Sequence, residues 1–580
     1  MRKYLFFLVA VVSLVPYLAT AKEQVQQPEK GFVRGPSEEK SAEKFMVATA
    51  NPIATRVGFD ILRKGGNATD AAIAIQLVLN VVEPQSSGMG GGAFALYWDS
   101  NRGRLFSYDG RETAPEQISH DYFLNSRGEP RKFWEVVPGG GSVGVPGTLA
   151  LMEFMHKRHG SEQWSELFKP AMRLARDGFP ISPRLAASIE NAKRKKLDLF
   201  KETKKLFFNA NGQGKKTGEI LKNKQLYESL KLISKGGAKV FYGGEIGQEI
   251  IKSIQNSSKN PGLMRTSDLL NYRVKERTPV CVKYRGYDVC GMGPPSSGGI
   301  TVGQILGVIE NSGINRLEVS EKSMHLFIEA SKLAYADRGL YIADADFLPV
   351  PTEGLLDPGY LRERFKLIGV NPMQKALPGS PKGSKGLLRA LQLQEEKGGT
   401  THFSIVDSYG NALSLTSTIE TGFGSRLMAG GFLLNNELTD FSFRPIRNGR
   451  LVANRPEGGK RPRSSMAPTI VLKDNRPALL LGSPGGSRII SYVAQAIIAV
   501  LDQRMSPKQA VNSGHIVNRN GITEIEEGSD AIAFLERLKG LGHEIKVRNL
   551  NSGIQMILVE KDGTLRGAAD PRREGSVMGE

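Results

Sequence analysis

Cysteine is almost missing from this chain: Cys281 and Cys290 are the only two in 580 residues. That excludes a disulfide-dense scaffold. No histidine or further cysteine accompanies them, which argues against a zinc site, and no other metal motif is evident. Aromatic residues are sparse at 7% and do not interleave with the basic ones. The net charge of +19 therefore reads as a solvated face rather than a nucleic-acid groove. The glycine run Gly88 to Gly92 lies between an expected helix and an expected strand. A dinucleotide fingerprint needs the opposite order, so no nucleotide cofactor is expected, nor any other cofactor. Beyond the first residues, no apolar run approaches the length of a membrane helix.

The first residues are different. Arg2 and Lys3 precede an apolar run from Leu5 to Leu18, and Ala19-Thr20-Ala21 follows. This is the pattern of a cleaved signal peptide over 1–21. The expected destination is periplasmic or extracellular, with no stable membrane anchor. Residues 22–44 are polar and read as a flexible lead-in. The remainder is 40% hydrophobic and 24% charged, as in ordinary globular proteins.

Helix and strand signals then alternate. Asn51-Pro52 opens one helix, and Gly65-Gly66-Asn67 separates it from a second with an Ala-rich apolar face. Strands are expected over Ala93 to Trp98 and Leu105 to Asp109. Residues 147–380 read as mainly helical, interrupted by Pro294-Pro295-Ser296-Ser297-Gly298-Gly299 and by an alternating run around the cysteines. If Arg285-Gly286 is a two-residue hairpin loop, Cys281 faces Cys290 across the strands. A disulfide there and two unpaired thiols are both open readings. Residues 382–399 read as an exposed linker. Strands follow at Thr401 to Val406, Ala412 to Ile419, Phe432 to Leu434, Thr469 to Leu472 and Ala478 to Leu481, with a helix at Ile489 to Leu501. The class is α+β, helices packed on antiparallel sheets.

The hairpin after the linker carries a polar constellation. With Ser408-Tyr409-Gly410 as a three-residue loop, Asp407 faces Asn411 and the register places Thr400 opposite Thr418. Phe403 then pairs with Leu415, and Ile405 with Leu413, on the other face. A one-residue slip would mix the two faces. Thr400, His402, Thr416, Thr418 and Glu420 share the polar side. A threonine hydroxyl needs an adjacent base to act as a nucleophile. Cleavage of the Gly399–Thr400 bond would supply one, the new α-amine, whose ordinary pKa of about 7.7–8.0 suits it.

Several motifs occur in order. They are Gly398-Gly399-Thr400-Thr401-His402-Phe403, Leu433-Leu434-Asn435-Asn436-Glu437-Leu438-Thr439-Asp440-Phe441, Arg461-Pro462-Arg463-Ser464-Ser465-Met466 and Gly482-Ser483-Pro484-Gly485-Gly486-Ser487-Arg488. Upstream stands Asp109-Gly110-Arg111-Glu112-Thr113-Ala114-Pro115, and near the end Ala568-Ala569-Asp570-Pro571-Arg572-Arg573. Together they resemble the γ-glutamyltransferase family over nearly the whole chain. The resemblance implies a four-layer αββα N-terminal-nucleophile hydrolase fold, two stacked antiparallel sheets between helical layers. It implies autocleavage before Thr400 into a large subunit, 22–399, and a small catalytic subunit, 400–580, which remain one intertwined domain. It implies cleavage of a γ-glutamyl amide, such as that of glutathione, through a γ-glutamyl-Thr400 intermediate passed to water or to an acceptor amino acid or peptide.

Roles carried over by the resemblance fall on residues with suitable chemistry. Thr418 would hold the Thr400 hydroxyl or amine. Gly485 and Gly486 would form the oxyanion hole with successive N–H groups. Arg111, Ser464 and Ser465 would grip the α-carboxylate of the donor. Glu420, Glu437 and Asp440 would hold its α-ammonium. His402 is expected to be structural. Two departures stand out: Glu420 replaces the asparagine of many members, and residues 442–459 are short, with Phe443 as their one aromatic. A reduced lid and a more open cleft are expected. Two other readings remain: an amide acylase of the cephalosporin-acylase type, and an uncleaved envelope-binding protein.

Overall fold

The computed structural model describes residues 37–314, 316–392 and 399–580. The expected signal peptide and most of the lead-in lie outside the described residues, as does 393–398 of the expected linker. Among the described residues no helix is long and apolar enough to cross a membrane.

Local signals set the first helices. Asn51 caps Pro52–Arg63 through its side chain, which accepts from Ile53 N, and Pro52 occupies the first turn. Asn67 and Asp70 form a reciprocal capping box on Ala68–Val82. A strand precedes them that the sequence reading did not separate, Met46–Thr49. Another, Glu39–Ala42, falls inside the expected lead-in and corrects its extent. It is a strand because Glu39 to Ala42 pair with Ala568 to Leu565, more than 500 residues away, which no local pattern announces.

Two seven-stranded sheets form the centre. In the first, Gly399–Val406 lies between Met46–Thr49 and Ala412–Glu420, which is followed by Gly92–Asp99 and Arg104–Gly110. The second runs from Glu39–Ala42 through Leu565–Ala569, Gln555–Val559, Arg476–Leu481 and Thr469–Lys473 to the cysteine hairpin. Pairing within both sheets is antiparallel.

Two apolar clusters complete the layers. Phe403, Ile405, Leu413 and Leu415 pack with the helices Pro52–Arg63 and Ala68–Val82 on the outer face of the first sheet. Phe94, Leu96 and Ala48 on its inner face meet Ile470, Leu480 and Ile557 of the second, with Gly298–Glu310 and Ile489–Leu501 beyond. The order is helix, sheet, sheet, helix, as expected.

The hairpin register is the one derived from the sequence. Thr400 pairs with Thr418, Phe403 with Leu415 and Ile405 with Leu413. Asp407 N donates to Asn411 O at 3.0 Å. One irregularity falls between Gly399 and Thr400, where Gly399 pairs with Glu420. The polar face is not solvated: it is pressed against the second sheet. Ser404 Oγ donates to Gln555 O at 3.0 Å and Ser414 Oγ to Leu481 O at 3.1 Å.

The cysteine hairpin turns on Arg285 and Gly286, both with positive φ, as a two-residue turn of this kind requires. Cys281 pairs with Cys290, and the two are joined by a disulfide.

Candidate active site

The Gly399–Thr400 bond sits inside a strand, against the bulge that breaks its register. Thr400 is buried. Thr418 Oγ1 donates to Gly399 O at 2.7 Å and accepts from Glu420 N at 2.8 Å. In the uncut chain Thr418 therefore holds the carbonyl before Thr400 rather than the Thr400 hydroxyl. A donor on that oxygen favours attack at its carbon. Arg573 Nη1 donates to Thr400 O at 3.1 Å, fixing the other side of the residue. Glu420 adopts φ +73°, a conformation that L side chains rarely take, which marks a local constraint at this point.

One cleft gathers most of the expected residues. Its walls include Arg111, Thr400, Thr418, Glu420, Glu437, Asp440, Ser464, Ser465 and Gly486. Gly485 stands beside Gly486, with φ +142°, and a Cβ on it would come within 2.7 Å of Tyr492. Both glycines lead into the helix Ile489–Leu501, whose N-terminal end favours negative charge.

Arg111 is buried and bonded on every side. It contacts Glu437 Oε1 through Nη1 and Asp440 Oδ2 through Nη2, the latter at 2.6 Å. Its Nε donates to Pro462 O at 3.1 Å, and Nη2 also to Arg463 O at 3.0 Å. The residue expected to take a carboxylate and two residues expected to take an ammonium are thus paired with one another. Burial, the largest influence on Arg111, opposes its charge, and Glu437, Asp440 and Glu112 more than offset it, so its proton is held more firmly than usual. Burial pushes Glu437 well above the usual carboxylate range, against the pull of Arg111. Burial also raises Glu420, and the neighbouring charges of Asp440 and Glu437 add to it. Glu420 Oε2 accepts from Asn436 Nδ2 at 2.7 Å, while Oε1 is buried and accepts no hydrogen bond. Burial and mutual repulsion thus both favour the protonated forms of Glu420 and Glu437.

Residues the sequence reading passed over hold this arrangement. Asn435 Oδ1 accepts from Gly144 N and Glu437 N, both at 2.9 Å. Ser297 N and Oγ both donate to Ser464 O, each at 2.7 Å, which gives the Pro-Pro-Ser-Ser-Gly-Gly run its place. Glu112 is buried beside Arg111, and burial pushes its carboxyl up to about 7. Both asparagines and Glu112 stand inside quoted motifs, so motif adjacency was the available signal. Arg338, whose Nη2 donates to Ser465 Oγ at 2.7 Å, lies outside every motif.

His402 lies between the sheets, bonded to Thr416 Oγ1 at 2.9 Å and Ser404 Oγ at 3.1 Å. Burial pushes it down to about 3, so it is neutral. Phe443 does not cover the cleft: it is buried, stacked on Phe123 with ring centres 4.3 Å apart. Asn454 Nδ2 ties the 442–459 loop back to Asp440 O at 2.8 Å. Elsewhere the fold brings His325, Glu329 and His543 within metal-ligating distance of one another. His325 Nδ1 bonds His543 Nε2 at 2.8 Å, and Glu329 pairs with Lys332 and accepts from Met373 N.

This four-layer sandwich, with a threonine entering a central strand beside a buried charged cleft, has the architecture of the N-terminal-nucleophile hydrolases. Residues 54–580 match the family described as Gamma-glutamyltranspeptidase. The glutathione hydrolase proenzyme of Bacillus subtilis (strain 168) is 38% identical over 545 residues, 92% of this chain and 91% of that protein. Among solved structures, a cephalosporin acylase from Bacillus halodurans superposes with a TM-score of 0.82 at 26% identity, covering 94% of this chain and 98% of that one. The Helicobacter pylori gamma-glutamyltranspeptidase is 37% identical, with a TM-score of 0.54, over 60% of this chain and 96% of that one. The chain belongs to the gamma-glutamyltranspeptidase family, and it is an enzyme of the glutathione hydrolase and γ-glutamyltransferase type.

Proposed function

We propose that the chain cuts itself at Gly399–Thr400 and then uses Thr400 to remove γ-glutamyl groups from amides, glutathione or related compounds. The Arg111–Glu437–Asp440 cluster carries this reading. A γ-glutamyl donor ends in an α-carboxylate and an α-ammonium, the same two charges that the cluster pairs internally. The donor's carboxylate takes the guanidinium with Ser464 and Ser465, and its ammonium takes Glu437, Asp440 and Glu420. A plain acyl group brings neither charge, so it offers the guanidinium and the carboxylates nothing in exchange for the bonds they make with one another. That favours the glutamyl reading over an acylase.

In the first step the Thr400 hydroxyl attacks the Gly399 carbonyl, whose oxygen Thr418 polarises. The Gly399–Thr400 C–N bond breaks as the nitrogen takes the hydroxyl proton, which leaves a free α-amine and an ester on the Thr400 oxygen. Hydrolysis of that ester frees the hydroxyl and leaves two subunits, 22–399 and 400–580, after loss of residues 1–21 on export. In catalysis that amine takes the hydroxyl proton as the oxygen attacks the γ-carbonyl. Gly485 and Gly486 N–H groups hold the developing oxyanion. The amine then protonates the departing nitrogen, and water or an amino-acid or peptide acceptor resolves the ester. The buried Phe443 and the tied-back 442–459 loop leave the cleft open to bulky donors.

Denaturing electrophoresis tests the first step. Bands of roughly 40 and 20 kDa are expected, since fragment mass follows length. The Thr400→Ala chain stays whole. A wild-type chain that also stays whole removes the proposal.

A further inference from the structure

The helix Glu321–Tyr341 stands outside the cleft, yet two of its residues reach the parts that form it. Tyr335 OH donates to Ser487 O, one residue beyond the glycine pair. Arg338, one turn on, is buried; its Nη2 donates to Ser465 Oγ at 2.7 Å and its Nε to Ser297 Oγ at 2.9 Å. Ser297 Oγ in turn donates to Ser464 O at 2.7 Å. A single guanidinium thus braces both serines of the cleft, one directly and one through Ser297.

The chemistry of these groups gives the contact a direction. A guanidinium has five donors and no acceptor, whereas a serine hydroxyl has one proton and two lone pairs. Arg338 can meet Ser465 only as donor. Ser465 Oγ then accepts on that side, and its single proton must point elsewhere. Ser465 lines the cleft together with Arg111. A hydroxyl whose proton is already turned to that side is a pre-oriented anion donor, whereas one free to rotate must first be ordered.

We infer that Arg338 is a positioning residue that fixes Ser465 as a hydrogen-bond donor to the α-carboxylate of the donor substrate, and so sets the demand for that carboxylate. This rests on the γ-glutamyl reading above. Glutamine at 338 can accept as well as donate, so it leaves the Ser465 proton undirected. Methionine gives neither, and lysine keeps a donor without the planar fork.

The test compares processed wild type, Arg338→Gln, Arg338→Met and Arg338→Lys on three anilides: γ-glutamyl, glutaryl, which lacks the amine, and 4-aminobutyryl, which lacks the carboxylate. For γ-glutamyl anilide the Gln and Met variants should raise KM about tenfold or more, the size expected for one hydrogen bond to a charged group, with kcat within about threefold. Glutaryl anilide should lose in parallel. For 4-aminobutyryl anilide kcat/KM should stay within about twofold of wild type, because the bond in question is never made. Arg338→Lys should recover part of the KM. Equal losses on all three anilides overturn the inference, as does an unchanged KM for γ-glutamyl anilide. So does failure of all three variants to mature, which would assign Arg338 to folding. Wild type turning over 4-aminobutyryl anilide as well as γ-glutamyl anilide is a different failure: it removes the γ-glutamyl reading itself.

Discussion

One hydroxyl, that of Thr418, has a proton on Gly399 O and a lone pair taken by Glu420 N. Removing it should show first in maturation. Thr418→Val, similar in shape without the donor, is expected to slow conversion of precursor to fragments by about 100-fold, the usual cost of losing one oxyanion donor. Thr418→Ser should process at close to the wild-type rate. A time course of the precursor band after purification decides it, and unchanged processing in the valine variant would refute this role. Glu112 permits a pH test. Burial raises its carboxyl to about 7, so the folded protein holds its proton more tightly than the unfolded chain does. Its stabilising contribution is complete below the ordinary glutamate range and disappears as the pH climbs through about 7. Glu112→Gln keeps the shape without the titration. Its melting temperature should fall less between pH 5 and pH 8 than that of wild type; equal slopes would count against the assignment. At this scale residue types are legible in the sequence, but their partners are not. Arg111 and Glu437 are 326 positions apart. Nothing in the spacing of either motif says that they bond each other.

Elements were more legible, because their signals are local. The 280–291 hairpin follows from alternation and a two-residue turn, and its register makes Cys281 face Cys290. Whether the thiols join was open from sequence, and the structure joins them. The bridge closes a short loop whose outer strand is the edge of its sheet, and its expected effect is on stability. The chain-entropy estimate for about ten residues is about 2–3 kcal/mol. In a chain of this length the Cys281→Ser/Cys290→Ser pair should lower the melting temperature by about 2–3 °C. Processing and kcat should be unchanged, and a loss of either would show that the hairpin bears on the site. The strand Glu39–Ala42 was illegible for the converse reason: four residues, two of them exposed, become a strand only through pairing with Leu565–Ala569. The 442–459 loop was legible in length and composition. The inward stacking of Phe443 on Phe123 depends on a partner over 300 residues away.

For the whole molecule, the consequence of the topology is cohesion. Gly399–Val406 is flanked by Met46–Thr49 of the upstream part and Ala412–Glu420 of the downstream part, and Ala412–Glu420 pairs with Gly92–Asp99. A cut before Thr400 therefore severs one peptide bond and leaves both sheets hydrogen-bonded across the break. The two fragments expected under denaturing conditions should migrate as one species in size exclusion without denaturant, and their separation there would contradict an intertwined domain. The sequence by itself determined the α+β class, the hairpin register, Thr400 opposite Thr418, and the family with its motifs. Periodicity, turn residues and contiguous motifs are short-range, and they survive in a string of letters. Tertiary structure alone decided the rest. It paired Arg111 with Glu437 and Asp440, pressed the polar face of the hairpin against a second sheet, and set Arg338 behind Ser465. Each of these contacts joins segments far apart in the chain, and it exists only because burial forces charged and polar groups to find one another once water is excluded.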